Sequence, residues 1–194
     1  MNEVIQNILS RRSIRSYKKE QILDPDLDII LKAAQYAPSG GNSQSWRFTV
    51  VQNQPKLEQL NAIVRKAFKN MVVDDTTYKS KKSSKIASKN DNYSFYYHAP
   101  TLIIVSNERE YSNSIADCSV ALENIFLAAN SLGLGSCWIN QLAWLCDEPN
   151  IREVLTELSI PENHIVCGAA TLGYISGNKP PAALRREGTA NIIR

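Results

Sequence analysis

Apolar positions recur with a helical period in several separated stretches of the chain. Val4, Ile5, Ile8 and Leu9 predict a short helix over residues 3–10. Asp24-Pro25 opens a second, with Asp24 suited to an N-cap and Pro25 to the first turn. Leu27, Ile30, Leu31 and Ala34 form its buried face, and it ends near Pro38. Pro55 opens a third, with Leu57, Leu60, Ile63, Val64, Ala67 and Phe68 on its apolar side. The longest periodic segment runs from Tyr111 to Leu132. Its stripe is Ile115, Cys118, Leu122, Ile125, Ala129 and Leu132, widened by Val120 and Leu127. A helix apolar over so much of its circumference is buried on several sides, as a central core helix or against a second subunit. Gly133 ends it, and a further helix lies within 148–157.

Between these stretches lie short apolar runs with strand character: FTVV at 48–51, TLIIV at 101–105, CWI at 137–139 and IVCGAATLGY at 165–174. TLIIV is a near-continuous apolar run, as expected of a strand covered on both faces. Helices alternating with about four strands, without tight hairpin signals, predict an α+β or α/β fold with helices on both faces of a sheet. The 194 residues suit a single domain over 1–194. Residues 70–94 break the pattern. They are polar, lysine-rich and weakly periodic, and are expected to form an exposed excursion of a short helix and loops with solvated lysines.

Charge narrows the choice of partner. The net charge is +3, but ten basic residues sit in two runs. Residues 11–19 hold Arg11, Arg12, Arg15, Lys18 and Lys19, and residues 79–89 hold Lys79, Lys81, Lys82, Lys85 and Lys89. The remaining twelve basic residues face nineteen acidic ones. Two local patches on an otherwise acidic chain favour a discrete anionic ligand over a nucleic-acid tract. No apolar run approaches the roughly 18 residues of a membrane span, and the N-terminus lacks a secretory pattern, so a cytoplasmic location is expected.

The four cysteines are too widely spaced for a redox or zinc motif, and with two histidines besides them no metal site is expected. His98 reads as a packed or surface residue, having no acid–base partner nearby. There is no GxGxxG, no GxxxxGK[ST] and no GxSxG.

Two stretches carry candidate chemistry. RRSIRSY, residues 11–17, places three guanidiniums and a hydroxyl within reach of one another at the end of the first helix or in the loop after it. Guanidinium forks match phosphate oxygens, although a short basic run also suits a solvated surface. PSGGNSQSW, residues 38–46, offers glycines that permit close approach or positive φ, and amides that donate and accept. It reads equally as a plain connection to the strand after it.

Together with LGLGSCWIN after the long helix and the GY…P…RR ending, these stretches resemble the nitroreductase family, flavin-dependent oxidoreductases that bind FMN. The resemblance covers nearly the whole chain outside 70–94. It implies a central, mostly antiparallel β-sheet with helices on both faces. It also implies a homodimer with FMN at the subunit interface, and a C-terminal arm, ending in NIIR, exchanged between subunits. Carried over by position, Arg11 and Ser13 match phosphate-site residues, and Arg12 lines the ribityl or phosphate end. Arg15 matches the cation near flavin N1 and the C2 carbonyl. Pro38, Ser39, Gly40 and Asn42 match the loop given by the other subunit. Trp138, Ile139, Asn140 and Gln141 match the segment facing the ring. Arg185 and Arg186 match a C-terminal cation on the phosphate. A lysine present in some relatives is Phe95 here, and the asparagine at the ring edge corresponds to Asn92 or, alternatively, Asn61.

The implied activity is transfer of electrons from NAD(P)H through FMN to a nitroaromatic, quinone or similar planar acceptor by a ping-pong cycle. No catalytic side chain is required, because the cofactor carries the chemistry. Tyr93, Phe95, Tyr96 and Tyr97 are candidates to stack on an acceptor, or are ordinary packing before a strand. The competing readings are a flavin-binding sensor or store without turnover, and a binder of acidic partners through the two basic patches.

Overall fold

The structure, a computed structural model, describes residues 1–194. Four strands, β1 (Arg47–Val51), β2 (Thr101–Glu108), β3 (Gly135–Ile139) and β4 (His164–Gly173), form one sheet in the order β1-β2-β4-β3. Every neighbouring pair is antiparallel. β2 lies inside the sheet and is buried from Thr101 to Asn107, which is why its sequence is apolar without alternation.

Successive β2 side chains feed two cores. Leu102 and Ile104 pack with Leu57, Leu60, Val64 and Phe68 of α3 (Gln54–Asn70), with Leu142 of α6 (Gln141–Leu145) and with Leu155 of α7 (Pro149–Glu157). Ile103 and Val105 pack with Ile30 and Ala34 of α2 (Asp24–Gln35) and with Cys118, Leu122 and Ile125 of α5 (Ser114–Ser131). The expected layered α+β fold, an antiparallel sheet between helices, is what the chain forms. No helix is long and apolar enough to cross a membrane.

Several local expectations are corrected. Asp24 is not the cap of α2. The Leu23 carbonyl accepts from the Asp26 and Leu27 amides, each at 3.1 Å, so Asp24 and Asp26 lie in the first turn, where carboxylates oppose the helix dipole. α5 begins at Ser114 rather than Tyr111. Its stripe is displaced: Ile115 is 64% exposed, while Asp117 and Phe126 are buried. α6 was not foreseen, because five residues give no periodic signal. Residues 176–194 contain no helix or strand, and Ile192 and Ile193 of the NIIR ending are exposed.

Residues 70–94 are strapped to the body more firmly than a polar excursion requires. α4 (Lys79–Ala87) buries Ser84, and Ser88 after it is fully buried. Arg65 of α3 donates to the Ser88 carbonyl at 2.9 Å and to Asp91 at 2.5 Å. Lys85 is not simply solvated, for its ammonium donates to the Lys69 and Met71 carbonyls at the end of α3. α1 (Glu3–Ser10) is the opposite case: it is amphipathic, yet none of its residues is buried.

Candidate functional site

RRSIRSY leaves α1 and runs extended along the outer edge of β3, rather than forming a free loop. The Ile14 amide donates to the Ser136 carbonyl at 2.8 Å, and Ser13 forms a parallel bridge with Ser136. Tyr17 fixes the far end. Its hydroxyl bonds the Ile14 carbonyl at 2.6 Å and Thr171 Oγ1 at 2.8 Å. Tyr17 also bridges Ile175, so both ends of the segment are set by the β3–β4 side of the sheet.

This backbone directs the arginines differently. Arg11 lies 5.8 Å from the Phe126 ring centre, with its Nε 3.8 Å from Glu123 Oε1. Arg12 Nη1 donates to the Leu9 carbonyl at 2.7 Å and the Arg11 carbonyl at 2.8 Å. Its buried Nε has no hydrogen-bond partner. Arg15 is exposed, its guanidinium 5.8 Å from the centre of the Tyr97 ring. Neither Arg12 nor Arg15 has a carboxylate partner.

A further cation, which sequence reasoning missed, joins the cluster. Lys179 Nζ donates to Asn130 Oδ1 at 2.8 Å, and Asn130 Nδ2 donates to the Asn7 carbonyl and to Ser10 Oγ, each at 3.0 Å. Burial, followed by repulsion from Arg12 and Arg11, pulls the Lys179 pKa below that of an ordinary lysine. A lone lysine before Pro180-Pro181 carries no motif or period that could have revealed it. Arg185 and Arg186, the expected C-terminal cations, lie exposed in the irregular tail.

Beyond Ser136 the outer edge of β3 has no strand beside it, so the segment reaching Gln141 borders open space. Trp138 turns its indole inward against Phe126, ring centres 5.9 Å apart, and Nε1 donates to Asn140 Oδ1 at 2.6 Å. Gly168 on β4 makes room for it: a Cβ there would stand 3.1 Å from Trp138 Nε1 and 2.9 Å from Leu122 Cδ1. Ile139 is buried. Gln141 lines a cavity of about 260 Å³ together with Ser84, Tyr93 and Tyr97. The Tyr93 hydroxyl is buried without a hydrogen-bond partner of good geometry, and burial pushes its pKa up to about 12. Of the four candidate aromatics, Tyr93, Phe95 and Tyr97 line this cavity, Phe95 from a core position 1% exposed, whereas Tyr96, also 1% exposed, does not. His98 is exposed and packs edge-on against Tyr96 at 5.8 Å.

The two candidate asparagines differ. Asn92 is exposed, and its amide closes a turn onto Asn90 Oδ1 at 2.9 Å. Asn61 braces the cavity wall from behind. Its Nδ2 donates to the Tyr93 carbonyl at 2.9 Å, and its Oδ1 accepts from the Phe95 amide at 3.0 Å.

Pro38, Ser39, Gly40 and Asn42 are not brought to the arginines within one chain. Their loop, with a 3₁₀ turn at Gly40–Asn42, is bonded to Tyr111 and Asp117 at the start of α5. Arg11 meets α5 at Glu123 and Phe126. Nine residues of helix separate Asp117 from Phe126, an axial distance of about 14 Å.

These residues suit a ligand with an anionic end. Three cations converge near one end of β3, one buried guanidinium nitrogen lacks an acceptor, and an open strand edge leads away toward a cavity with an unused phenol. The profile of the nitroreductase family matches residues 8–174. The chain belongs to the nitroreductase family. The resemblance read from its sequence is borne out, and with it the expectation of an oxidoreductase.

Among solved structures, the nitroreductase of Bacteroides fragilis with bound FMN is 45% identical, with a TM-score of 0.91 and 100% of both chains covered. A nitroreductase of Desulfitobacterium hafniense with bound FMN is 27% identical, with a TM-score of 0.83 and 99% of each chain covered. A relative in Archaeoglobus fulgidus, provisionally named an NADH dehydrogenase/NAD(P)H nitroreductase, is 34% identical over 92% of this chain and 89% of its own length.

Proposed function

We propose that this protein is an FMN-dependent NAD(P)H oxidoreductase that reduces nitroaromatic, quinone or similar planar acceptors, and that it works as a homodimer with FMN at the interface. The observation that carries this reading is the arginine segment held on the β3 edge, with Arg12 and Arg15 free of carboxylate partners, in a chain so similar to family members solved with FMN.

Arg11, Arg12 and Ser13 would hold the phosphate end, with Lys179 beside them. The C-terminal pair Arg185 and Arg186 would close over it as the arm settles. Arg15 would stand at the redox end, where a fixed guanidinium favours the reduced, more negative cofactor. Trp138, Ile139, Asn140 and Gln141 would supply backbone and amide contacts along the open strand edge. Asn92 or Asn61 would meet or brace the ring edge. FMN held by these residues would supply the hydride-accepting and electron-donating chemistry between a reduced nicotinamide and the acceptor. Tyr93, protonated at neutral pH, would donate its unused O–H to an oxygen of a planar acceptor in the cavity beside Tyr97.

The dimer reading rests on apolar surface and on geometry. Val4, Ile5, Ile8 and Leu9 of α1 are 65%, 42%, 44% and 58% exposed, and Ile115 and Val120 of α5 are 64% and 40% exposed. Exposed apolar faces of this kind mark association sites. If two copies of α5 cross antiparallel, the loop at the start of one lies near the partner's arginines, farther along the other. Pro38, Ser39, Gly40 and Asn42 would then complete the partner's site. The exposed NIIR ending would have the free edge of β1 to join.

A spectrum of the isolated protein tests the cofactor, and anaerobic titration with NADH and NADPH tests turnover. A yellow protein that bleaches with a donor and recovers with menadione supports the reading. Failure to take up FMN would defeat it, and flavin that neither donor bleaches would favour a sensor or store.

A further inference from the structure

We infer that Asp117 is a positioning residue for the neighbouring subunit's site: it holds loop 38–44 in the shape that completes the partner's FMN pocket. The inference rests on the dimer reading above.

Asp117 lies in the first turn of α5 and is 5% exposed. No lysine or arginine pairs with it. Its carboxylate is instead spent on the loop. The Gly40 amide donates to Oδ1 at 3.1 Å and Oδ2 at 3.2 Å, and the Tyr111 hydroxyl lies 2.9 Å from Oδ2. Ser43 Oγ stands 3.5 Å from Oδ2 and 3.1 Å from the Tyr111 oxygen. The single Tyr111 proton can go to Asp117 or to the Gly40 carbonyl at 3.0 Å. The charged acceptor makes the stronger bond.

The loop needs such a hold. Gly41, Asn42 and Gln44 have φ of 59°, 58° and 49°. Two of the three are not glycine, and left-handed conformations at such residues persist only where their surroundings impose them. Local bonds help: Gln44 N–H donates to Ser39 Oγ at 3.1 Å, and Gln44 Nε2 donates to Asn42 Oδ1 at 2.9 Å. These bonds tie the loop to itself, and the bonds from Gly40 and Ser43 to Asp117 and Tyr111 tie it to the start of α5. Gly40 is required for that set, since a Cβ there would fall 2.2 Å from Asn113 Nδ2 and 2.6 Å from the Tyr111 oxygen. A buried anion facing the core would be costly and without purpose. Here it fixes the backbone of Ser39, Gly40 and Asn42, the residues offered across the interface.

Asp117→Asn keeps the volume and removes the charged acceptor. Tyr111→Phe removes one donor and leaves the Gly40 bonds. FMN binding to the dimer is measured by flavin fluorescence quenching. Asp117→Asn is expected to weaken it roughly tenfold, and Tyr111→Phe by a smaller factor. The decisive experiment mixes differently tagged chains, one carrying Asp117→Asn and the other Arg11→Ala, and isolates the heterodimer. Trans action leaves the site of the Asp117→Asn chain with its own Arg11 and an intact loop from its partner, so one site per heterodimer binds with wild-type affinity. A heterodimer with two weakened sites would overturn trans action, and wild-type affinity in the Asp117→Asn homodimer would overturn the role of Asp117. Wild-type protein that is monomeric or takes up no FMN would overturn both this inference and the function on which it rests.

Discussion

The two basic runs carry five cations each, yet the molecule uses them in opposite ways. In residues 11–19 the segment is pinned to the sheet, through the Ile14 amide to Ser136 and the Tyr17 hydroxyl to Thr171, and the guanidiniums of Arg12 and Arg15 are left without carboxylates. In residues 79–89 two of the five cations serve the fold. Lys85 bonds carbonyls at the end of α3, and Lys82 Nζ donates to the Asp75 carbonyl at 3.1 Å. The number of cations is the same in both. What differs is whether a donor is left over: Arg12 Nε stays buried and unpaired although its Nη1 bonds two carbonyls, whereas Lys85 and Lys82 are spent on carbonyls of the fold, and this decides which run is available to an anion.

The comparison would break most visibly through binding. Arg11→Ala is expected to weaken FMN binding roughly a hundredfold, the scale of losing charge-assisted bonds to a phosphate. Lys85→Met should leave the same titration unchanged. Equal losses would mean that the runs are not divided as described.

A second effect belongs to the far end of the first run. Arg15→Gln should keep FMN bound and make its midpoint potential more negative by about 30 mV or more, where 30 mV corresponds to about 1.4 kcal/mol for a two-electron couple. A potential unchanged in spectroelectrochemical titration would remove Arg15 from the redox end.

What the residues revealed in advance, and what they hid, follows the same division. TLIIV announced a strand covered on both faces, and β2 is that strand, because continuous burial leaves a continuous apolar run. RRSIRSY showed its chemistry but not its shape, since one bridge to Ser136 between distant segments leaves no local period. The stripe of the long helix included Ile115, which this chain exposes, because periodicity shows that a face is apolar and not which molecule covers it. Asp117 escaped notice for the reverse reason: it is a polar residue on a buried face, and only its bonds to Gly40, Ser43 and Tyr111 explain it. Lys179 likewise depends on the fold bringing Asn130 and Asn7 together.

A smaller effect tests the structural use of the second run. Lys85→Met removes donors from the last carbonyls of α3 and a positive charge from its negative end. The expected loss is about 1 kcal/mol of folding stability, read as a lower urea midpoint at unchanged slope. No loss would return Lys85 to the solvated surface.

The smallest effect is a proton. Lys179, exposed as a residue, has a pKa below its ordinary value because its ammonium loses some solvent and then because Arg12 and Arg11 repel its charge. An anion placed among these cations reverses that balance and raises the pKa toward or above its ordinary value. Between the free and bound values the complex holds more protons than the free protein, so binding must draw a fraction of a proton from solution. At about pH 9.5, below the ordinary lysine value, calorimetric titrations of FMN in two buffers of different ionisation heat should therefore differ. Lys179→Met should remove that part of the difference while leaving Arg11 and Arg12 in place. If wild-type and variant differ by nothing, Lys179 does not sense the anion, and the first run binds its ligand without it.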